Sequence, residues 1–181
     1  MKKTLTFILA RGHVVGAFVP GKAAGEGVKL LVGQLDAVLG RECHELFGHA
    51  IGHCDTGDAV ITPGFALKAR HVIHVVGPRW HGGERGEGEL LASCYARAIE
   101  LAVENGCESI AFPLISSGIF GYPKEEAWRV ALGACREKLE QLGKRAPEVV
   151  FCVISDSSRD LGERVLSEMC VAESSSSKSS E

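Results

Sequence analysis

The residues with the clearest chemical potential form a short loop between an apolar run and a proline. The loop consists of Ser116, Ser117, Gly118, Ile119, Phe120, Gly121 and Tyr122, and is called the 116–122 loop below. Gly118 and Gly121 can adopt positive φ and allow close approach of a ligand, so backbone N–H groups and the dipole of the following helix can together bind an anion. Phe120 and Tyr122 add apolar faces that suit a ribose or an aromatic ring. The alternative interpretation is an ordinary strand-to-helix connection in which two aromatic side chains pack.

Histidines and cysteines form the other candidate clusters. Five of them lie close together in the sequence and offer zinc-ligating atoms: Cys43, His44, His49, His53 and Cys54. Their spacing matches no common zinc finger or ribbon, so we predict no metal site. His71 and His74 stand at i and i+3 on a predicted strand, which puts them on opposite faces, and we expect both to be structural. No cysteine has a designated partner for nucleophilic catalysis, and the residue pattern assigns no catalytic residue.

Hydrophobic periodicity places the 116–122 loop between a strand and a helix. Strands are predicted over residues 4–9, 59–62, 71–76, 109–115 and 148–154, and helices over 28–46, 89–104, 124–142 and 159–169. This alternation predicts an α/β fold, a three-layer α/β/α sandwich with a mixed, mostly parallel sheet. Ligands of such sheets bind at the carboxyl ends of strands, near helix N-termini, and the 116–122 loop is predicted to lie at such a position. The glycine-rich run at 82–88 is predicted to be a mobile surface loop without a chemical role.

The composition is that of one globular domain. The chain has 181 residues, 45% hydrophobic and 24% charged, and we assign residues 1–172 to a single domain. A net charge of −3 gives no reason to expect general nucleic-acid binding, and no apolar run reaches the about 20 residues that span a bilayer. The seven cysteines include no CxxC pair, which favours a reducing cytoplasm. The serine-rich stretch 173–181 cannot bury apolar surface and is predicted to be disordered.

Two segments resemble the macro domain family. The first, IAFPLISSGIFGYP at residues 110–123, is similar to the second phosphate-binding loop of macro domains. The second combines CDTGDAVITPGF at 54–65 with HVIHVVGPRW at 71–80, and resembles the two central strands of the family. The resemblance implies the macro domain fold, ADP-ribose or ADP-ribosylated protein as ligand, and no cofactor. It also implies that residues 116–120 wrap the diphosphate with N–H groups, with Phe120 against the distal ribose.

The N-terminal third departs from the family pattern. Most hydrolytic macro domains have an aspartate after the first strand that receives the adenine amino group, and no Asp stands there in this chain. The Asn-Ala-Ala-Asn motif has no counterpart, and Lys29 replaces the family's catalytic Asp. The positions that match the family's ligand contacts are carried over as candidates: His13, Val14, Gly25, Gly27 and Val28. Residues 154–157 offer no aromatic side chain to the adenine or proximal ribose, which should weaken affinity.

These departures favour binding over catalysis. Hydrolysis of an ADP-ribosyl bond needs a positioned water and a group that takes its proton, whereas Lys29 would be protonated at neutral pH. We therefore expect a protein that binds ADP-ribose or a derivative, with weak or absent ADP-ribosyl hydrolase activity. Two alternatives stay open. One is an active mono-ADP-ribosyl-protein hydrolase or O-acetyl-ADP-ribose deacetylase, and the other is a ligand-free scaffold or interaction module.

Overall fold

A mixed sheet organises the structure. The computed structural model describes residues 5–9, 17–19, 54–64 and 69–176, with side chains for 54–64 and 69–172. The strands in these ranges are β1 (Leu5–Leu9), β2 (Ala17–Val19), β3 (Ala59–Pro63), β4 (His71–Val75), β5 (Ser109–Phe112) and β6 (Glu148–Val153). The helices are α1 (Glu87–Glu104), α2 (Lys124–Leu142) and α3 (Asp156–Ser176), with a 3-10 turn at Gly143–Arg145 after α2.

The strand order is β1-β6-β5-β2-β4-β3. β6 is parallel to both of its neighbours, β1 and β5. β2 is antiparallel to β5 and β4, and β3 is antiparallel to β4. Four strands, β1, β4, β5 and β6, therefore run in one direction and two in the other, which confirms the predicted mixed sheet. The carboxyl ends of the four meet at one edge, called the carboxyl edge below, and residues 76–80, 113–122 and 154–157 follow β4, β5 and β6 there.

Both faces of the sheet are buried. On one face, an aromatic cluster joins sheet and helices: the Tyr95 ring is 5.0 Å from that of Phe112, and the Trp128 ring is 5.0 Å from that of Phe151, both edge to face. The strand residues in between point to the other face and are buried as well, namely Ala111, Val150 and Cys152. Burial on both sides is what a three-layer α/β/α fold requires.

Helix α1 forms because its apolar residues recur at helical spacing. Its buried positions include Leu91, Cys94, Tyr95, Ala98 and Ala102. The helix ends as predicted at Asn105 and Gly106, where Gly106 adopts φ 65 and the N–H of Cys107 donates to the carbonyl of Ala102 at 2.8 Å.

Three element boundaries differ from the sequence prediction by three residues or more. β5 ends at Phe112 instead of 115, because the next residue, Pro113, has no N–H to donate. α3 begins at Asp156 instead of 159, where the Ser155 hydroxyl accepts the N–H of Ser158 at 3.3 Å and caps the first turn.

α3 also runs to Ser176 instead of 169. Residues 173–176, predicted to open a disordered tail, are thus helical, because each residue added to an existing helix gains a backbone hydrogen bond without needing burial. Residues 177–181 and the helix predicted at 28–46 lie outside the described residues. Within the described ranges, no helix combines the length and apolarity needed to cross a membrane.

Candidate functional site

The 116–122 loop lies at the carboxyl edge, between β5 and α2, where the sequence placed it. Tyr95 of α1, which the sequence analysis did not single out, fixes the entry to the loop. Its buried hydroxyl donates to the carbonyl of Pro113 at 3.4 Å and accepts the N–H of Ile115 at 3.0 Å. The chain therefore leaves β5 held by a side chain instead of by a neighbouring strand.

Hydrogen bonds inside the loop fold it into a compact turn. The N–H of Gly121 donates to the carbonyl of Gly118 at 2.9 Å, and that of Tyr122 donates to the carbonyl of Ser116 at 3.1 Å. The hydroxyl of Ser117 donates to the carbonyl of Leu114 at 2.8 Å. The donors in these bonds belong to the two ends of the loop, whereas Gly118 and Ile119 in its middle are exposed to solvent.

The middle of the loop presents backbone donors. In the part of the chain that the structure describes, no acceptor lies within hydrogen-bonding reach of the N–H groups of Gly118, Ile119 and Phe120. A Cβ on Gly118 would meet nothing within 4 Å, and Ile119 is 98% exposed. Consecutive unpaired N–H groups just before a helix N-terminus form a site suited to an anion.

Two residues of the loop have left-handed backbone. Gly121 has φ 72, as its type allows, and Ser116 has φ 62, the one non-glycine at positive φ among the described residues. Gly118 was also expected to exploit positive φ and does not; its lack of a side chain keeps space open beside the donors. Positive φ in a serine costs conformational energy and is typical of functional sites.

Ser116 is packed tightly against the end of β4. Its Oγ is buried and has no hydrogen-bond partner among the described residues. A Cβ on Gly77 would lie 2.4 Å from that Oγ and 2.7 Å from Cγ2 of Ile115. A side chain at position 77 would therefore displace the side chains of Ser116 and Ile115 at the start of the loop.

The two aromatic residues of the loop have different roles. Phe120 is half-buried, and the guanidinium carbon of Arg79 lies 5.6 Å from its ring centroid. Tyr122 is 4% exposed and packs against Trp80, with ring centroids 4.5 Å apart at 53°. Phe120 can therefore offer a face to a ligand. The ring of Tyr122 is packed as the alternative interpretation describes, and a contact of this residue with a ligand stays a prediction.

The segment after β4, predicted as a mobile surface loop at 82–88, contains a buried carboxylate. Glu87 is 2% exposed and accepts the N–H groups of His81, Gly83 and Arg85 at 2.9, 3.3 and 2.6 Å. Burial alone would raise the pKa of Glu87, but these hydrogen bonds outweigh it and lower the pKa from 4.5 to about 2. The sequence signal was an acidic residue after several glycines at a helix start, which by itself is typical of solvated first turns.

The comparison with known proteins decides the family. The family model of the Macro domain matches residues 24–131, more than half of the chain. The macro domain-containing protein CT2219 of Chlorobaculum tepidum is 45% identical over 161 residues, which cover 89% of this chain and 83% of that protein. The chain belongs to the macro domain family.

Solved macro domains have the same fold. A mutant macrodomain of Oceanobacillus iheyensis with ADP-ribose superposes with a TM-score of 0.69 at 28% identity, covering 93% of this chain and 88% of that one. The macrodomain of the same organism with ADP gives a TM-score of 0.67 at 29% identity, with coverages of 93% and 85%. The α/β architecture predicted from the sequence is thereby confirmed for this macro domain.

Most of the remaining candidate residues of the macro domain lie outside the described residues, and His74 lies within them. His13, Val14, Gly25, Gly27 and Val28, and also Lys29, lie outside the described residues. Of the described strands nearest to these residues in the sequence, β1 ends at the carboxyl edge and β2 begins there. His74 binds Thr62 Oγ1 at 2.9 Å, and burial lowers its pKa, as fits the structural role expected for it.

Metal and thiol chemistry find little support in the macro domain's described residues. Of the suggested zinc cluster, only Cys54 is described, and no three His, Cys, Asp or Glu side chains in the described ranges come together as metal ligands. Burial raises the pKa of Cys94 and Cys152 to about 12. Both thiols therefore stay protonated and act as small apolar side chains.

Proposed function

We propose that this macro domain binds ADP-ribose, or ADP-ribose attached to a protein, through the 116–122 loop. The observation that carries the proposal is the row of N–H groups on Gly118, Ile119 and Phe120, with no acceptor in the described ranges, at the carboxyl edge. Related macrodomains have been solved with ADP-ribose and with ADP, which share a diphosphate.

The expected binding mode uses backbone more than side chains. The N–H groups donate to diphosphate oxygens, and the N-terminus of α2 adds its positive dipole end. Phe120 lies beside these donors and packs against the distal ribose. Arg79, held over the Phe120 ring, is exposed and adds positive charge near the diphosphate. A chain with net charge −3 needs such local donors to bind a dianion.

We further propose that hydrolysis by this domain is weak or absent. The loop itself supplies no base: the hydroxyl of Ser117 donates to a carbonyl, and that of Ser116 is buried. Lys29 stands where hydrolytic relatives have an aspartate, and no Asn-Ala-Ala-Asn motif is present. A protonated lysine at this position attracts the negatively charged diphosphate but cannot accept a proton from water.

Two measurements test the proposal. Titration calorimetry with ADP-ribose, and with AMP as a ligand lacking the diphosphate and the distal ribose, should give heat with the first and much weaker binding with the second. No heat at millimolar ADP-ribose would favour the scaffold or interaction module. Incubation with proteins mono-ADP-ribosylated on acidic side chains, and with O-acetyl-ADP-ribose, should release little product. Turnover near one per second would establish the hydrolase instead.

The proposed setting is a reducing cytoplasm. All six cysteines in the described ranges are free thiols, and four of them are buried: Cys94, Cys107, Cys135 and Cys152. Free buried thiols are usual in proteins of reducing compartments. The proposed partner is an ADP-ribosylated protein, with neither nucleic acid nor membrane surface as an expected partner.

A further inference from the structure

The carboxylate of Glu87 organises a segment that is otherwise rich in glycine. Oε1 accepts the N–H groups of His81 and Gly83, and Oε2 accepts that of Arg85. The three donors belong to alternate residues, so one side chain fixes the whole path from 81 to 85. Residues 81–86 are called the glycine segment below.

The glycine segment holds Trp80 in place. A Cβ on Gly83 would lie 2.8 Å from Cη2 of Trp80, so the backbone at Gly83 packs directly on the indole. The indole also packs on Tyr122 with 4.5 Å between centroids. The half-buried indole therefore contacts both the glycine segment and the 116–122 loop.

Trp80 also binds the 116–122 loop through its backbone. Its N–H donates to the carbonyl of Phe120 at 2.9 Å. This bond fixes the peptide that follows Phe120, next to the residues whose N–H groups face the ligand. A continuous path of contacts thus joins Glu87 to the anion site: Glu87, the glycine segment, Trp80, and then Phe120 and Tyr122.

We propose that Glu87 is a positioning residue of the ADP-ribose site, which it orients through the glycine segment and Trp80 without touching the ligand. The inference rests on the proposed function of the 116–122 loop. A carboxylate is required because it only accepts hydrogen bonds, and all three partners are donors. A glutamine at this position would direct its NH₂ group at one set of N–H groups and leave them unpaired.

A general helix-capping role does not account for the arrangement. Glu89 lies in the same first turn of α1, where it also has a favourable interaction with the helix dipole, and it is exposed. The donors to Glu87 outside α1 belong to the glycine segment. Glu89→Gln is therefore a matched control that removes the same charge from the same turn.

The first test compares Glu87→Gln with Glu89→Gln by calorimetry with ADP-ribose. Loss of one set of buried hydrogen bonds should weaken binding of Glu87→Gln by about 10-fold, with Glu89→Gln unchanged. Equal affinities for the wild type and Glu87→Gln would overturn the proposal. Circular dichroism and thermal unfolding establish that each variant is folded before titration.

A second variant covers the case in which Glu87→Gln does not fold. Gly83→Ala keeps the carboxylate, but it strains a backbone with φ 87 whose N–H donates to Glu87, and it brings a methyl group against the indole of Trp80. It should weaken ADP-ribose binding to a similar extent. Unchanged affinity in Gly83→Ala would contradict the transmission through Trp80.

Two further readouts separate positioning from general stability. In Glu87→Gln, the amide of Trp80 should lose hydrogen-exchange protection, while amides in the middle of α2 keep theirs. Combining Glu87→Gln with Trp80→Phe should cost less affinity than the sum of the single effects, because both act on one path. Full additivity, or uniform loss of protection over α2, would assign Glu87 a purely structural role.

The exchange measurement also keeps the two proposals distinguishable. If the wild type does not bind ADP-ribose, the proposed function fails. Protection at Trp80 that depends on Glu87 would then still establish that the carboxylate orders the loop, and protection that does not would refute it.

Discussion

Gly77 at the end of β4 and Ser116 at the start of the 116–122 loop lie so close that a single added carbon would put Cβ 2.4 Å from the serine oxygen. The serine backbone cannot easily move away, because it is left-handed with φ 62 and its carbonyl accepts the N–H of Tyr122, so relief of the contact requires rotation of the Ser116 and Ile115 side chains. Two strands separated in sequence by α1 thus determine together where the loop begins.

Gly77→Ala should therefore distort the site and destabilise the protein. Overpacking of a tight contact typically costs about 1–3 kcal/mol, and displacement of Ser116 should lower ADP-ribose affinity as well. Urea unfolding and calorimetry measure the two effects. Gly88→Ala is the control, because its Cβ would be 3.9 Å from the Tyr122 hydroxyl and helix α1 gains about 0.5–1 kcal/mol from alanine. Similar stability of the two variants would refute the steric argument.

Gly118→Glu should abolish ADP-ribose binding without unfolding the protein. The position has open space around its Cβ, so the fold tolerates a side chain, while the carboxylate would stand in the proposed diphosphate path. We expect at least about 100-fold weaker binding, or about 2.7 kcal/mol. Ser167→Glu, which adds the same charge at an exposed position of α3, should bind like the wild type. Retained binding in Gly118→Glu would place the ligand elsewhere.

The location of the loop was predictable because local sequence determines it. An apolar strand, two glycines and a proline before a helix are short-range signals, and the structure places the loop between β5 and α2 as those signals indicated. The identity of its supports was not predictable. Tyr95 and Trp80 reach the loop from α1 and from the end of β4, and only the folded sheet brings these segments together.

The environments of two residues, Glu87 and Tyr122, were not predictable from the sequence. Glu87 appeared to be a solvated acid in a glycine-rich run, because acidic residues in first turns are usually exposed. It is buried because three N–H donors compensate for the loss of water. The packing of Tyr122 on Trp80 was not predictable either, because the loop pattern carries no information about Trp80.

An aromatic side chain at position 154 should increase affinity. Ile154 follows β6 at the carboxyl edge and is 64% exposed, where many relatives offer an aromatic residue to the adenosine part of the ligand. Ile154→Tyr should strengthen ADP-ribose binding about 2- to 10-fold, as expected for an aromatic contact. The matched control is Val171→Tyr, a similarly exposed position (68%) near the other end of α3. A gain in both variants, or in neither, would show that position 154 does not face the ligand.

Acid should remove the contribution of Glu87 in a defined pH range. Its pKa in the folded protein is about 2, below the ordinary 4.5, so the unfolded chain takes up the proton first as pH falls. The stabilisation is complete above about pH 4.5 and is lost as the pH approaches about 2. Urea unfolding at pH 6, 5, 4 and 3 should therefore give a stability difference between wild type and Glu87→Gln that narrows towards pH 3. A constant difference would contradict the low pKa.

The parallel pairing of β1 with β6 has a consequence for synthesis of the protein. β1 emerges from the ribosome before the other described strands, but its described partner β6 emerges after all of them. Until then no described strand pairs with the apolar run LTFIL, which favours aggregation or chaperone binding. A nascent chain arrested after α2 should therefore have an incomplete sheet, because β6, the strand that lies between β1 and β5, has not yet been synthesised. Completion of the sheet is then a late event, and it depends on long-range contacts that form slowly.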